Sequence, residues 1–343
     1  MRVLVTGYGG FLGEAICRQL LEAGHSVTGV ARQKYHELER LGVQTIQGDI
    51  RNQDCVNQAC QGHDAVIHTA AKAGVWGTWD EYYSINTLAT KHIVEACQQH
   101  AVPFLVHCSS PSVTFAGQHQ SGIDESVPYP TQWLCHYPHT KALAEQHVLA
   151  ANQPGKLATV ALRPHLIWGE GDPHLIPRVI DRCIKKRLLC IGSGTNKIDT
   201  VHVDAAAQAH LLALESLQVN ANTAGGNAYF ITDGDPIECW KWVGMLLTTA
   251  GLSVPSRQIP LSVAYGLGAT LEAFYKIGGK KAEPPMTRFV AKQLGLDHYF
   301  SIDAARRDLH YQPQVDRAAI LDSMRPWMEA LAKETLAKST SLS

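Results

Sequence analysis

The chain begins with a short apolar, β-branched run, Arg2-Val3-Leu4-Val5-Thr6, which stops at a cluster of glycines between Gly7 and Gly13. From Glu14 to Ala23 apolar residues recur at helical spacing (Ala15, Ile16, Leu20, Leu21, Ala23), and Gly24 closes the helix. Further apolar runs at 26–31, 43–47, 64–71, 103–108 and 157–162 predict strands, with helices at 86–100 and from Tyr137 through Val148. The last of these strands is expected to break at Arg163-Pro164-His165. This regular alternation predicts an α/β fold, a doubly wound parallel sheet with right-handed crossovers. Beyond Trp168 the pattern loosens. It predicts a helix at 175–186, a strand pair within 188–199, a segment at 201–217 and a strand at 229–232. Mostly helical sequence follows at 238–250, 261–277, 287–294 and 317–337, with 299–302 extended.

The first strand-to-helix junction carries chemistry. A helix N-terminus offers unpaired N–H groups and the positive end of the helix dipole, and both attract phosphate. Gly7 permits the tight turn, Gly10 lets the backbone approach a pyrophosphate, and Gly13 lets helix and strand pack closely, with Phe11 and Leu12 between them. Glycines at this spacing, between a strand and a helix, predict dinucleotide binding. The second strand ends at Ala31-Arg32, with Lys34 nearby, where a carboxylate would hold an unphosphorylated ribose. A guanidinium there grips a 2′-phosphate through charge-assisted bonds, so the expected cofactor is NADP(H). Asp49 is placed to accept from an adenine amino group while Ile50 packs on the ring. Ala70 and Ala71 leave room for a ribose to pass.

Tyr137 and Lys141, four residues apart, share one helix face. A phenol ionises near pH 10, and a cation beside it favours the phenolate, moving it toward a useful general acid. The spacing alone is common; what gives it weight is the dinucleotide site upstream and a strand that ends in Ser109-Ser110. His136, His139 and His165 are candidates to orient a substrate carboxylate, or are polar surface. His136-x-x-His139 has no third ligand at suitable spacing, so no metal is expected.

Composition narrows the partners. At 343 residues, 45% hydrophobic and 18% charged, the chain has room for a large core. A net charge of −1 gives no electrostatic reason to bind nucleic acid. Nine cysteines without Cys-x-x-Cys or ordered Cys/His spacing predict reduced thiols and a cytoplasmic location. Met1 leads directly into the first strand, so no signal peptide is expected. The longest apolar stretch, 259–277, is interrupted by Pro260 and Glu272 and is too weak to span a bilayer, but it suits a peripheral membrane contact or a lipid-like substrate.

Together, Thr6-Gly7-x-x-Gly10-x-x-Gly13, Gly48-Asp49, His68-Thr69-Ala70-Ala71, Ser109-Ser110, Tyr137-x-x-x-Lys141 and Arg163-Pro164 resemble the extended short-chain dehydrogenase/reductase superfamily. Within it, Tyr299, Ser301, Ile302, Asp303, Ala305, Leu309, Tyr311 and Pro313 resemble the C-terminal signature of the 3β-hydroxysteroid dehydrogenase-like family. The resemblance implies a Rossmann-type NADP-binding domain (1–168 and 199–232) and a smaller helical substrate-binding region (169–198 and 233–337), with 338–343 expected as a disordered tail. It implies Tyr137 as general acid, Lys141 lowering the Tyr137 pKa and holding the nicotinamide ribose, and Pro164 at the cofactor. Ser110 would hydrogen-bond the carbonyl oxygen, since Val113 then falls where the family has a valine; Ser109 is the alternative.

The stretches 71–79, 110–114 and 161–169 are similar to the family's reductases of 2-alkyl-3-oxo acids in bacterial long-chain olefin biosynthesis. That likeness implies NADPH reduction of a long-chain β-keto acid to the β-hydroxy acid. It also implies a homo-oligomer and a complex with the β-lactone-forming and decarboxylating enzymes downstream. The helices around 263–274 and Trp76, Trp79, Trp133 and Trp168 are expected to line an apolar tunnel for the alkyl chains. Three alternatives stand beside this reading. An NAD-dependent 3β-hydroxysteroid or sterol dehydrogenase is disfavoured by Arg32, and a sugar-nucleotide epimerase or dehydratase by the apolar C-terminal part. An NADP-sensing binding protein is disfavoured by the intact Ser110, Tyr137 and Lys141.

Overall fold

In a computed structural model that describes residues 1–340, seven parallel strands form the main sheet. From one edge they are Ala228–Ile231, Ala158–Pro164, Phe104–Cys108, Ala65–His68, Arg2–Thr6, Ser26–Ala31 and Gln44–Gln47. Alternate residues of the first strand serve opposite faces. Val3 and Val5 join the core under helices Phe11–Glu22 and Val203–Ala224, and Leu4 joins the core under Gln53–Cys60 and Ala89–Gln99. Both faces are therefore covered by helices, which is why these strands read as unbroken apolar runs. The chain builds outward from Arg2–Thr6 to Gln44–Gln47, then returns to place Ala65–His68 on the other side of the first strand. In such sheets ligands bind beyond the carboxyl ends of the strands, where the strand order reverses.

A second core gathers Trp168, Trp242, Leu246 and Met328 between helices Leu175–Ile184, Cys239–Thr249 and Arg317–Thr340. Beside it a four-stranded sheet runs Ile237–Glu238, Lys197–Ile198, His298–Phe300, Gln120–Ile123. Among the described residues no helix is long and apolar enough to cross a membrane.

Several elements differ from expectation. Strand Ala158–Pro164 does not break before Arg163: Pro164, as the last residue, forfeits at most one ladder bond, and the His165 N–H resumes the ladder by donating to the Ile231 carbonyl (3.1 Å). The expected strand pair within 188–199 is not a hairpin. Cys190–Ile191 pairs with Gln258–Ile259, and Lys197–Ile198 pairs with Ile237–Glu238 and His298. The loop before Tyr137 contains the strand Gln120–Ile123. Helical structure begins at Trp79 and winds as a π-helix over Tyr83–Leu88, where the Asn86 side chain bonds the backbone N–H and carbonyl of Lys72. The last helix runs to Thr340, so 338–340 are helical and not a disordered tail; 341–343 lie outside the described residues.

Candidate active site

At the switch point the glycine turn is tightly specified. Gly7 has φ +71°, and a Cβ there would lie 2.9 Å from the Ala70 Cα across the crevice. A Cβ on Gly13 would lie 2.2 Å from the Gly7 carbonyl oxygen, so helix and turn close only around glycine. Helix Phe11–Glu22 starts at Gly10 with no side-chain cap. Its first N–H groups are thus left for a ligand, and the Gly7, Gly10 and Gly13 backbone lines a cavity of about 420 Å³. Unclaimed donors and missing Cβ atoms at a helix N-terminus fit the pyrophosphate of a dinucleotide.

The same cavity is lined by Tyr137 and Lys141 of helix His136–Ala150 and by Ser109 and Ser110. That helix accepts Pro138 in its first turn because the missing N–H has no helical partner there anyway. Its position is fixed from outside: Thr87 Oγ1 donates to the Thr140 carbonyl (2.8 Å), and Asn86 Nδ2 to Thr140 Oγ1 (3.1 Å). From within, Glu145 accepts from Arg163 Nη2 (2.6 Å) and Nε (3.0 Å) and from the Tyr129 hydroxyl (2.6 Å). The Lys141 ammonium, 2% exposed, donates to the Cys108 carbonyl (2.6 Å) and approaches His107 Nε2 (3.4 Å).

Burial pushes the Tyr137 phenol up to about 12, with the Ser110 hydroxyl opposing the shift. The lowering expected from a cation one helical turn away is therefore not a property of the chain alone. Lys141 turns its charge to the Cys108 carbonyl, and desolvation dominates at the phenol; the same burial lowers the Lys141 pKa. Of the two serines, Ser110 is the one that bonds toward Tyr137, and it also pairs with Ser112 Oγ (2.9 Å). Ser109 Oγ is buried without a partner among the described residues.

Gly7, Gly10, Phe11, Leu12, Gly13, Ala71, Ser110, Tyr137, Lys141 and Pro164 are brought together around this cavity. Ala70 adjoins Gly7, while Arg32, Asp49 and Ile50 stand beyond the lining. Arg32 is exposed at the end of its strand, close enough to help hold the Asp49 pKa down. The main cause of that lowering is Arg51, whose guanidinium clasps the Asp49 carboxylate. Ile50 is packed into the core with Leu4 and Val30.

The tryptophans divide. Trp76, Trp79 and Trp133 line a second cavity of about 800 Å³ together with His136, His139 and Tyr275. Trp168 is fully buried against Trp242, its N–H donating to Asp233, so it belongs to the core and not to a tunnel. One apolar cluster borders both cavities: Phe289 lines the first, and Val75, Leu134 and Cys135, in the same cluster, line the second. Of helix Leu261–Ile277, Val263, Leu267, Phe274 and Ile277 are exposed, while Tyr275 and Lys276 reach the second cavity. His139 stacks on Trp133 (5.2 Å, 7°). No group of residues that could hold a metal ion occurs among the described residues.

Residues from far along the chain complete the first cavity: Gln120, Phe289, Gln293, His298 and Phe300. No local spacing marks them. Glu145 did have a signal, since it continues the Tyr137/Lys141 face at the next four-residue step.

These features belong to a dinucleotide-dependent oxidoreductase. A family model, the 3-beta hydroxysteroid dehydrogenase/isomerase family, matches residues 4–261, and the chain belongs to that family. Among its curated relatives, the 2-alkyl-3-oxoalkanoate reductase of Shewanella oneidensis is 47% identical over 91% of this chain and 82% of its own. The protein of the same name from Stenotrophomonas maltophilia is 46% identical over 92% and 96% respectively. In fold the chain matches UDP-glucuronic acid 4-epimerase from Bacillus cereus in complex with NAD, with a TM-score of 0.73, 23% identity and coverage of 97% of this chain and 98% of that one.

Proposed function

We propose that the chain is an NADPH-dependent reductase that converts a long-chain 2-alkyl-3-oxoalkanoic acid to the 2-alkyl-3-hydroxyalkanoic acid. The observation that carries this reading is the meeting of Tyr137, Ser110 and Lys141 with the glycine turn in one cavity, in a chain so similar to two reductases of that name. The bound dinucleotide supplies the hydride to the ketone carbon. Tyr137, neutral at physiological pH because burial holds its proton, gives that proton to the carbonyl oxygen. Ser110 donates to the same oxygen as charge develops on it. Lys141, held by the Cys108 carbonyl, keeps a positive charge beside the ribose and favours the phenolate that remains.

Arg32 meets the 2′-phosphate, Asp49 and Ile50 border the adenine, and Ala70, Ala71 and Pro164 border the riboses and the nicotinamide. The groove of Trp76, Trp79 and Trp133 takes an alkyl chain. The division into a cofactor part (1–168 and 199–232) and a substrate part belongs to the same proposal, as do homo-oligomerisation and contact with the enzymes that consume the hydroxy acid.

The test follows NADPH and NADH absorbance with a racemic 2-alkyl-3-hydroxy acid, a 3β-hydroxysteroid and a UDP-sugar. Turnover of the hydroxy acid with NADP+ is expected, falling roughly a hundredfold or more in Tyr137→Phe. Turnover of only the steroid or the sugar, or full activity in Tyr137→Phe, refutes the proposal.

A further inference from the structure

The cavity at Tyr137 has one Lys or Arg on its wall, Lys141, and that ammonium is committed to the Cys108 carbonyl. A 3-oxo acid carries its carboxylate only one carbon away from the ketone. A group able to match that charge must therefore stand beside the groups that meet the ketone oxygen. Three histidines line the same cavity: His174 is exposed at its rim, while His165 and His298 are buried. His165 follows strand Ala158–Pro164, and Ser110 follows the neighbouring strand Phe104–Cys108, whose Cys108 pairs with Leu162. The two side chains thus leave adjacent strand ends. His298 enters from the distant strand His298–Phe300.

The hydrogen bonds fix the protons of this pair. His298 Nε2 lies 2.6 Å from the Gln293 carbonyl, which only accepts, so Nε2 bears the proton and Nδ1 of the neutral ring does not. His165 Nε2, 2.7 Å from that Nδ1, must be the donor. His165 Nδ1 is then left as an acceptor with no hydrogen bond to any described residue, on a ring whose remaining exposure is 7%.

We propose that the His165–His298 pair is the carboxylate subsite: as the acid binds, His165 gains a proton on Nδ1 and holds the carboxylate by a charge-assisted hydrogen bond. This rests on the reductase reading above. Burial holds both rings neutral in the free chain, His298 at about 4 and His165 well below its ordinary value. An incoming carboxylate supplies the counter-charge the site lacks. None of the other titratable groups around the pair stands free beside His165 as a cation. Asp172 spends its carboxylate on the N–H groups of His174, Leu175 and Ile176. Asp297 bonds Ser121, His119 and the Lys197 N–H, and Asp199 bonds the Phe300 N–H. Lys292 donates to the Gly117 carbonyl, and His174 is an exposed residue of the rim.

The arrangement has a chemical use. A 3-oxo acid loses carbon dioxide through a cyclic form in which the carboxyl proton reaches the ketone oxygen. A carboxylate held at His165, with the ketone oxygen held at Ser110 and Tyr137, cannot form that ring before reduction removes the ketone.

The test compares wild-type, His165→Gln and His298→Gln enzymes, each checked for cofactor affinity. The substrates are the racemic 2-alkyl-3-hydroxy acid and its methyl ester, oxidised with NADP+ across neutral and mildly alkaline pH. For the acid, kcat/KM should fall roughly ten- to a hundredfold in His165→Gln, mainly through KM, with a much smaller change for the ester. The wild-type KM for the acid should rise with pH, and that for the ester should not. Equal losses on acid and ester in both variants assign the pair to folding and overturn the subsite. Equal wild-type use of acid and ester, with a KM flat in pH, also overturns it and leaves the reductase reading standing. A wild-type enzyme that binds NADPH but turns over neither compound refutes the reductase reading itself.

Discussion

Glu145→Gln isolates the contact that locks the Tyr137 helix to the sheet. The Glu145 carboxylate is fully buried and Arg163 is 3% exposed; the guanidinium also lies over the Phe230 ring at 5.1 Å. The amide introduced by this substitution would keep the shape and volume, but the guanidinium would remain in the core with no opposite charge. Removing one member of such a pair costs about 3–5 kcal/mol, a large part of a typical 5–15 kcal/mol folding stability. With a urea m-value of about 3 kcal/mol/M, the midpoint should drop by about 1–1.7 M at unchanged m. Replacing both residues by Met should leave the protein more stable than either single change, because no charge is then stranded. A midpoint shift below about 0.3 M for Glu145→Gln, or a double variant weaker than both singles, would refute the reasoning.

Arg32→Ala should weaken NADPH binding by roughly ten- to a hundredfold and leave NADH nearly unchanged, as read by titrating fluorescence; parallel loss of both cofactors would count against a 2′-phosphate contact. Trp76→Ala should raise KM for long-chain substrates more than for short ones, because it opens the cavity it lines with Trp79 and Trp133; equal effects on both would exclude an alkyl-chain role. Burial raises the Asp199 carboxyl from 3.8 to about 7, with Oδ1 unpartnered among the described residues. It holds its proton more tightly folded than unfolded, so its contribution to stability falls as pH rises from about 4 to about 7, by at most about 4 kcal/mol. Asp199→Asn should therefore gain stability over wild type at about pH 8 and lose that gain near pH 4 in urea titrations; a pH-independent difference would contradict it.

The parts legible in the sequence are those whose cause is local. A strand, a glycine-rich turn and a helix follow one another within 22 residues, and the physics of that turn is complete at that range. Tyr137 and Lys141 were readable for the same reason, being one helical step apart. The unreadable parts depend on partners far along the chain. Gln120–Ile123 carries no apolar period of its own, and only its pairing with His298–Phe300 makes it a strand. Cys190–Ile191 is two residues long, too short to show a period. Trp168 read as a tunnel residue because a tryptophan beside a glycine looks the same whether it faces a cavity or Trp242. The histidine pair joins positions 133 apart, and no spacing rule reaches that distance.

The pairing of Gln120–Ile123 with His298–Phe300 also sets an order of events during synthesis. The glycine turn, the Tyr137 helix and the first six strands of the main sheet are complete once about half the chain has left the ribosome. The cavity wall carrying Phe289, Gln293, His298 and Phe300 comes last. Residues of the dinucleotide site therefore emerge well before those that complete the substrate wall, with helix Val203–Ala224, which packs over Val3 and Val5, emerging in between. In that interval Phe115 lacks its partner Phe289, and an apolar surface stays open to chaperones and to misassembly.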